Sequence, residues 1–264
     1  MGALNVSPES FHGGSVFLET EALVDAAVGM VEAGASLIDV GGRSTAPYLE
    51  TEISDDEERR RLVRAVEALV AKVSVPVSVD TTRAEAARAA LESGARVVND
   101  VHGLRNAALA RVAVEHEAAV VLMAFPDDRP ARDERPLGQA RDLLAACLAR
   151  SRAAGIPDVR VVLDPGIGFF REGPTSWDAR DVAVLAGLRE LSELGRPLCV
   201  GVSRKSFIGA ITGHSASADR LAGSLAATAL AVANGAALIR THDVAETVDA
   251  VRVAERIVRG SHDV

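Results

Sequence analysis

Aromatic residues make up only 3% of this chain, so its core has to be built from Ala, Val, Leu and Ile. A hydrophobic fraction of 48% supplies ample material for a sizeable one. Positive charge is also short: the net charge is −8 and the isoelectric point near 5.3. No basic run or stripe offsets this, which argues against a nucleic-acid or other polyanion partner and confines any anion site to a local cluster. Cysteine is limited to Cys147, in an Ala-rich helical stretch, and Cys199, in an apolar strand. Both read as buried thiols rather than as a disulfide or metal pair. No apolar run reaches ~18 residues and no charged-then-apolar signal segment opens the chain, so the expectation is a cytoplasmic protein with no membrane partner. Met1 lies almost on top of the first strand, so either the start lies upstream or the barrel bottom has no plug. HExxH, CxxC and Ser-His-Asp arrangements are absent, which sets aside a structural zinc and a hydrolytic triad. Lysine is nearly missing too: Lys72 and Lys205 stand among 29 basic residues. A lysine at a strand end then reads either as chance or as a need for a compact, flexible ammonium instead of a planar fork.

What the chain does have is alternation. Apolar runs of strand length fall near 2–6, 36–40, 75–80, 96–100, 118–123, 159–164, 197–202 and 237–240. Helical patterns fall near 20–33, 55–72, 83–93, 106–116, 137–153, 178–193, 218–234 and 244–259. Eight such pairs in this length predict one (β/α)8 TIM barrel domain spanning residues 1–264, with a doubly wound open sheet as the alternative. Gly34, Gly94 and Gly235 each sit between a helix and the next strand, where a left-handed residue closes a helix. The segment Pro126 to Pro136, rich in proline and charge, reads as a surface loop on the catalytic face, either a lid or a plain solvated excursion.

Most strands end in polar residues: Asn5 in LNVSPESF, Asp39 in LIDVGGRST, Asp80 in VSVDTT, Asn99 and Asp100 in RVVND, Asp164 in VVLDPGIGF, and Arg240 to Asp243 in LIRTHD. Ser203-Arg204-Lys205 closes PLCVGVSRK. A carboxylate or amide at the carboxyl end of a buried strand is costly without a partner. Repeated around one sheet, such placements gather chemistry at one barrel mouth. Asp80, Asn99 and Asp164 together suit a flat nitrogen heterocycle that carries an amino group beside a ring N–H, because a carboxylate offers two coplanar acceptors. The competing reading is that each caps a helix or ties a loop. Lys205, Arg240 and His242 form a contrasting cationic group near strands seven and eight, where barrels often hold phosphate. The Lys205 turn leads into a helix, an environment that favours anions. A Mg²⁺ held by Asn5 and phosphate oxygens is compatible with this set, since that ion takes few protein ligands. Gly166 and Gly168, just after Asp164, either form a simple turn or let backbone approach a ligand closely.

In chain order these blocks resemble dihydropteroate synthase, of the pterin-binding barrel superfamily. MGALNVSPESF is similar to that family's MGILNVTPDSF, and DVGGRST to its D-[IV]-GGEST; VSVDT, VVND, LDPGIGF, GVSRKSFIG and IRTHDV match further blocks. The resemblance implies condensation of 6-hydroxymethyl-7,8-dihydropterin pyrophosphate with p-aminobenzoate to dihydropteroate, pyrophosphate leaving first and the amine attacking a pterin-stabilised carbocation. It implies Asp80, Asn99, Asp164 and Lys205 on the pterin, with Met123 lining its pocket and Gly201 beside it. It implies Arg240, His242 and Asn5 on the pyrophosphate and its Mg²⁺, catalysis by Lys205, Asp80, Arg240 and His242, and a substrate contact from Thr45; Arg43, where the family has Glu, is a further candidate substrate contact. Family members are commonly homodimers, and the apolar helix 218–234 is the candidate interface.

The chain departs from the family where the second substrate enters. GGESTRP becomes Gly41-Gly42-Arg43-Ser44-Thr45-Ala46-Pro47, losing an Arg at position 46 and gaining one at 43. Phe11-His12-Gly13-Gly14 lacks the usual second Asp, and Met123-Ala124 replaces a usual Met-His. The alternatives are a non-catalytic pterin-binding paralogue and a methyltetrahydrofolate-dependent methyltransferase. A methyl donor has no need of the cations on strands seven and eight.

Overall fold

The strand-forming runs are short and buried on both faces, as parallel strands covered by helices must be. The computed structural model describes residues 1–7, 17, 19–43, 53–126, 135–171 and 175–260. Eight strands form in chain order: Gly2–Asn5 (β1), Ile38–Gly41 (β2), Val77–Asp80 (β3), Val97–Asp100 (β4), Ala119–Met123 (β5), Val161–Asp164 (β6), Leu198–Val200 (β7) and Ala236–Ile239 (β8). They pair in parallel in that same order, and a bridge from Gly2 to Thr241 joins the last strand to the first. The Ala3 amide donates to the Thr241 carbonyl at 2.8 Å across the seam. The sheet is therefore a closed barrel, and the open doubly wound sheet is excluded.

Helices pack around it: Thr20–Glu32 (α1), Asp55–Val70 (α2), Ala84–Glu92 (α3), Ala107–Glu115 (α4), Pro136–Ala154 (α5), Trp177–Ala186 (α6), Leu188–Leu191 (α7), Ser206–Thr212 (α8), Leu221–Ala233 (α9) and Val244–Gly260 (α10). Their ends follow local chemistry. Ser54 Oγ accepts the Glu57 amide at 3.2 Å to start α2, and Pro136 opens α5, where a missing N–H costs nothing. Gly34, Gly94 and Gly235 carry φ of 104°, 114° and 96°, as the C′ reading requires. On α2, Leu62 and Leu69 are fully buried, and each contributes roughly 1.5–3 kcal/mol by leaving water.

Three expectations needed correction. The helix predicted over 178–193 is divided at Gly187, whose backbone (φ −92°, ψ 10°) leaves the helical region, so α6 and α7 replace one element. A short helix, α8, stands between β7 and α9 and was not among the predicted elements, although Lys205 opens it. Strand six begins at Val161 because Asp158–Arg160 forms a 3₁₀ turn after Pro157.

Two cores result. The larger lies between barrel and helices. A smaller one fills the barrel floor: Met1, Val121 and Cys199, with Leu37, Val97, Val162 and Leu238 packed on them. Side chains on a strand alternate, so the residue two positions beyond each floor residue points into the barrel one layer higher. Those residues are Ala3, Asp39, Asn99, Met123, Asp164, Gly201 and Arg240. The apolar floor thus aims the polar layer above it.

Candidate active site

Asp39 is the buried centre of that layer. Its Oδ2 accepts Asn99 Nδ2 at 3.1 Å and Arg240 Nε at 2.8 Å, which orients the amide of β4 and the guanidinium that follows β8. Arg240 Nη2 also donates to Asp80 Oδ2 at 3.3 Å, so one cation bridges two buried carboxylates. Burial pushes the Asp80 carboxyl up to about 7; Arg240 opposes this, while Asp39 and Glu58 add to it. Burial disfavours the charge on Arg240, but the two aspartates outweigh it and raise its pKa. Asp80 Oδ1 is buried with no hydrogen-bond partner among the described residues. Such an atom is expensive, and an incoming N–H donor would relieve the cost.

The wall formed by β6 and β7 carries the second group. Asp164 Oδ1 accepts the Gly166 amide at 2.8 Å, and burial raises its pKa against the pull of Lys205. Gly166 has φ of 73°, and a side chain there would run into the Ala124 carbonyl, so the turn admits glycine alone. The Lys205 ammonium donates to the Ile167 carbonyl and lies 5.0 Å from the centre of the Phe169 ring. Burial lowers its pKa, and Asp164 and then Asp181 resist that shift. A Cβ on Gly201 would lie 3.7 Å from Arg240 Cβ and 4.0 Å from Lys205 Nζ, so this glycine sits between the two cations. Met123 is buried and registers with Asp164.

His242 is fixed by Ser203, whose Oγ meets its Nδ1 at 2.9 Å and accepts its backbone amide at 3.3 Å. Arg204, at φ of 55°, grips Asp243 through Nη2 at 2.7 Å and Nε at 2.9 Å. That ion pair ties the loop after β7 to the loop after β8. On the opposite side, Arg43 Nε lies 3.5 Å from Glu58 Oε2. Glu58 is buried on α2, where it also accepts Thr81 Oγ1 at 2.5 Å and Arg83 Nη1 at 2.9 Å. Asn5 registers with Gly41, and a Cβ on Gly41 would stand 3.1 Å from Asn5 Oδ1 and 3.8 Å from Asp80 Cβ. The missing side chain leaves a small cradle between Asn5 and Asp80.

The structure thus brings Asp80, Asn99, Met123, Asp164, Gly201, Lys205, Arg240, His242, Asn5 and Arg43 to the carboxyl ends of the strands. Thr45, with Ala46, Pro47 and the first loop's His12-Gly13-Gly14, lies outside the described residues, as does most of the Pro126 to Pro136 loop. Asp39, Glu58 and Asp181 were not among the candidate site residues. Among the described residues no group of three or more His, Cys, Asp or Glu side chains gathers as a metal site, and no helix is long and apolar enough to cross a membrane. A layer that opposes buried acceptors to fixed cations can hold a flat, N–H-rich ring beside an anionic group.

A family profile described as pterin binding enzyme matches residues 1–242. The dihydropteroate synthase of Synechocystis sp. is 37% identical over 265 residues, covering 98% of this chain and 90% of that protein. A dihydropteroate synthase from Xanthomonas albilineans, solved with 4-aminobenzoic acid, aligns with a TM-score of 0.87 and 40% identity over 97% of this chain and 92% of its own. A structure of the Xanthomonas albilineans enzyme in complex with 7,8-dihydropteroate gives a TM-score of 0.84 and 38% identity over 97% and 92%. Barrel, strand-end motifs and likeness agree along nearly the whole length: the chain belongs to the pterin-binding enzyme family, in its dihydropteroate synthase branch.

Proposed function

We propose that this protein is a dihydropteroate synthase, a transferase of folate biosynthesis that joins 6-hydroxymethyl-7,8-dihydropterin pyrophosphate to p-aminobenzoate or a related arylamine and releases pyrophosphate. One observation carries this reading: the acceptors Asp80 and Asp164 share the mouth with Lys205 and Arg240, each carboxylate within electrostatic reach of a cation. Asp80 Oδ1 and the Asp164 carboxylate accept the pterin's amino and ring N–H groups, with Asn99 held in place by Asp39. Met123 forms part of the apolar wall. Lys205 meets the pterin, Arg240 and His242 meet the pyrophosphate, and Gly201 leaves room between Lys205 and Arg240.

In the reaction the bond between the pterin methylene carbon and the pyrophosphate oxygen breaks, its electron pair leaving with the oxygen. The arylamine nitrogen then bonds to that carbon and loses a proton. The protein offers orientation and fixed charges that stabilise the separating anion. Asn5 supplies one neutral oxygen beside the Gly41 cradle, which suits Mg²⁺ when pyrophosphate oxygens and waters complete its shell. Bound there, the ion would neutralise charge on the leaving pyrophosphate. Arg43, anchored by Glu58, would serve the arylamine's side of the site.

A second copy of the chain is the partner that α9 fits. That helix turns Ser224, Thr228 and Ala231 inward and leaves Leu230 66% exposed, and the neighbouring α10 likewise exposes Val253 and Ile257. A homodimer through this face would cover these side chains. The free thiols Cys147 and Cys199 suit a reducing cytoplasm. The test of function is pyrophosphate release from the pterin pyrophosphate with Mg²⁺ across several para-substituted arylamines. Release that requires an arylamine is expected; tight pterin binding without release under any arylamine would leave a non-catalytic binding protein.

A further inference from the structure

Asp181, on the buried face of α6, belongs to no strand-end cluster, yet it reaches the site. It is fully buried, and its Oδ1 accepts the backbone amide of Gly168 at 2.9 Å. Gly168 has φ of 82°, and a Cβ there would stand 3.0 Å from Lys205 Cδ and 3.6 Å from Lys205 Nζ. The residue before it, Ile167, provides the carbonyl that receives the Lys205 ammonium. One turn of backbone therefore has the carboxylate on one side and the lysine on the other. Pulling the Gly168 amide toward α6 presents the Ile167 carbonyl and the flat glycine surface to the lysine stem. Asp181 Oδ2 is buried with no hydrogen-bond partner among the described residues, so its charge is not consumed by a closer donor.

We infer that Asp181 is a positioning residue of the active site: from α6 it clamps the Gly168 amide, fixing the Gly166–Phe169 turn against Lys205, and places a second buried carboxyl group behind that turn. Groups that face the lysine are Asp164 on β6, Asp181 on α6, Cys199 on β7 and Arg240 after β8. Those that face Asp181 are Lys205, Arg180 and Arg171. Arg180 stacks on Phe170 with Cζ 3.2 Å from the ring centre, and none of its guanidinium nitrogens has a hydrogen-bond partner among the described residues. The carboxylate thus stands between cations, and its removal would be felt by the lysine on the far side of the turn.

The consequence for ligand binding rests on the reading of Lys205 as a contact of the pterin pyrophosphate; the clamp itself does not. The composition makes the clamp directly visible, because the chain has two lysines, Lys205 and the exposed Lys72. Protein grown on lysine labelled with ¹³C at Cε gives two signals, and Lys72 serves as the internal reference. Asp181→Asn keeps an acceptor for the Gly168 amide but removes the charge, so the Lys205 titration midpoint should fall by about one pH unit. Asp181→Ala removes both and should also weaken binding of the pterin pyrophosphate about tenfold at neutral pH. A Lys205 midpoint equal to the parent's in both variants would overturn the inference, as would parent-like binding in Asp181→Ala. A parent protein that binds no pterin pyrophosphate would refute the functional reading alone, with the lysine titration still deciding the clamp.

Discussion

Asp80 should make the fold less stable as pH rises, and Asp80→Asn should remove that dependence. Its carboxyl sits at about 7 in the folded protein against an ordinary value of 3.8. Between these values the folded protein keeps a proton that the unfolded chain has released, so stability falls with increasing pH across that window. Three units at about 1.4 kcal/mol each set a ceiling of about 4 kcal/mol. Arg240, which bonds Asp80 Oδ2 at 3.3 Å, already offsets part of the burial and is included in that figure. Asparagine has nearly the same shape, retains an oxygen for Arg240 and does not titrate. Urea unfolding of parent and variant at half-unit steps from pH 4 to 8 isolates the effect as a difference. The difference should move in favour of the variant by about 3–4 kcal/mol over that range. A difference that stays level would refute the reasoning. The same substitution should weaken pterin binding, the expected cost of stabilising a site built around a strained charge.

Other outcomes follow from the same geometry. Lys205→Ala should weaken binding of the pterin pyrophosphate severely, measured by calorimetry; an unchanged affinity would refute the role given to the lysine. Arg43→Ala should lower kcat/KM for an anionic arylamine by about tenfold, as the loss of one charge-assisted hydrogen bond would, and spare a neutral one; an unchanged ratio would show that Arg43 does not replace the cation missing at position 46. Leu230→Glu should convert a dimer to a monomer by light scattering, and a monomeric parent would refute the α9 interface.

The strand-end chemistry was legible because buried parallel strands leave few explanations for a polar residue. Leu37 then Asp39, Val97 then Asn99, Val162 then Asp164 and Leu238 then Arg240 repeat one pattern, an apolar floor residue followed two positions later by a polar one. What that pattern cannot give is which polar residue serves another. Asp39 stood in a strand-end cluster like the rest, and only the closed barrel shows it as the hub that orients Asn99 and Arg240. Glu58 lies inside the acidic first turn of α2, a composition shared by solvated helix starts. Its signal was present in the spacing: Glu58, Leu62, Ala65 and Leu69 form one buried helical face. Asp181 likewise shares a buried face with Val184. Helix α8, at seven residues, is too short to show a period.

The two buried thiols make this protein its own recorder of unfolding. Cys199 is sealed in the barrel floor, and Cys147 lies on the buried face of α5, donating to the Met123 carbonyl at 3.5 Å. Burial pushes the Cys147 thiol up to about 11 and raises that of Cys199 as well, so neither reacts until its surroundings open. Modification at Cys147 then times the lifting of one helix from strand five, and modification at Cys199 times the breaching of the barrel. The gap between the two clocks, read by mass spectrometry without any label, measures how far the outer layer can loosen before the floor of the site gives way.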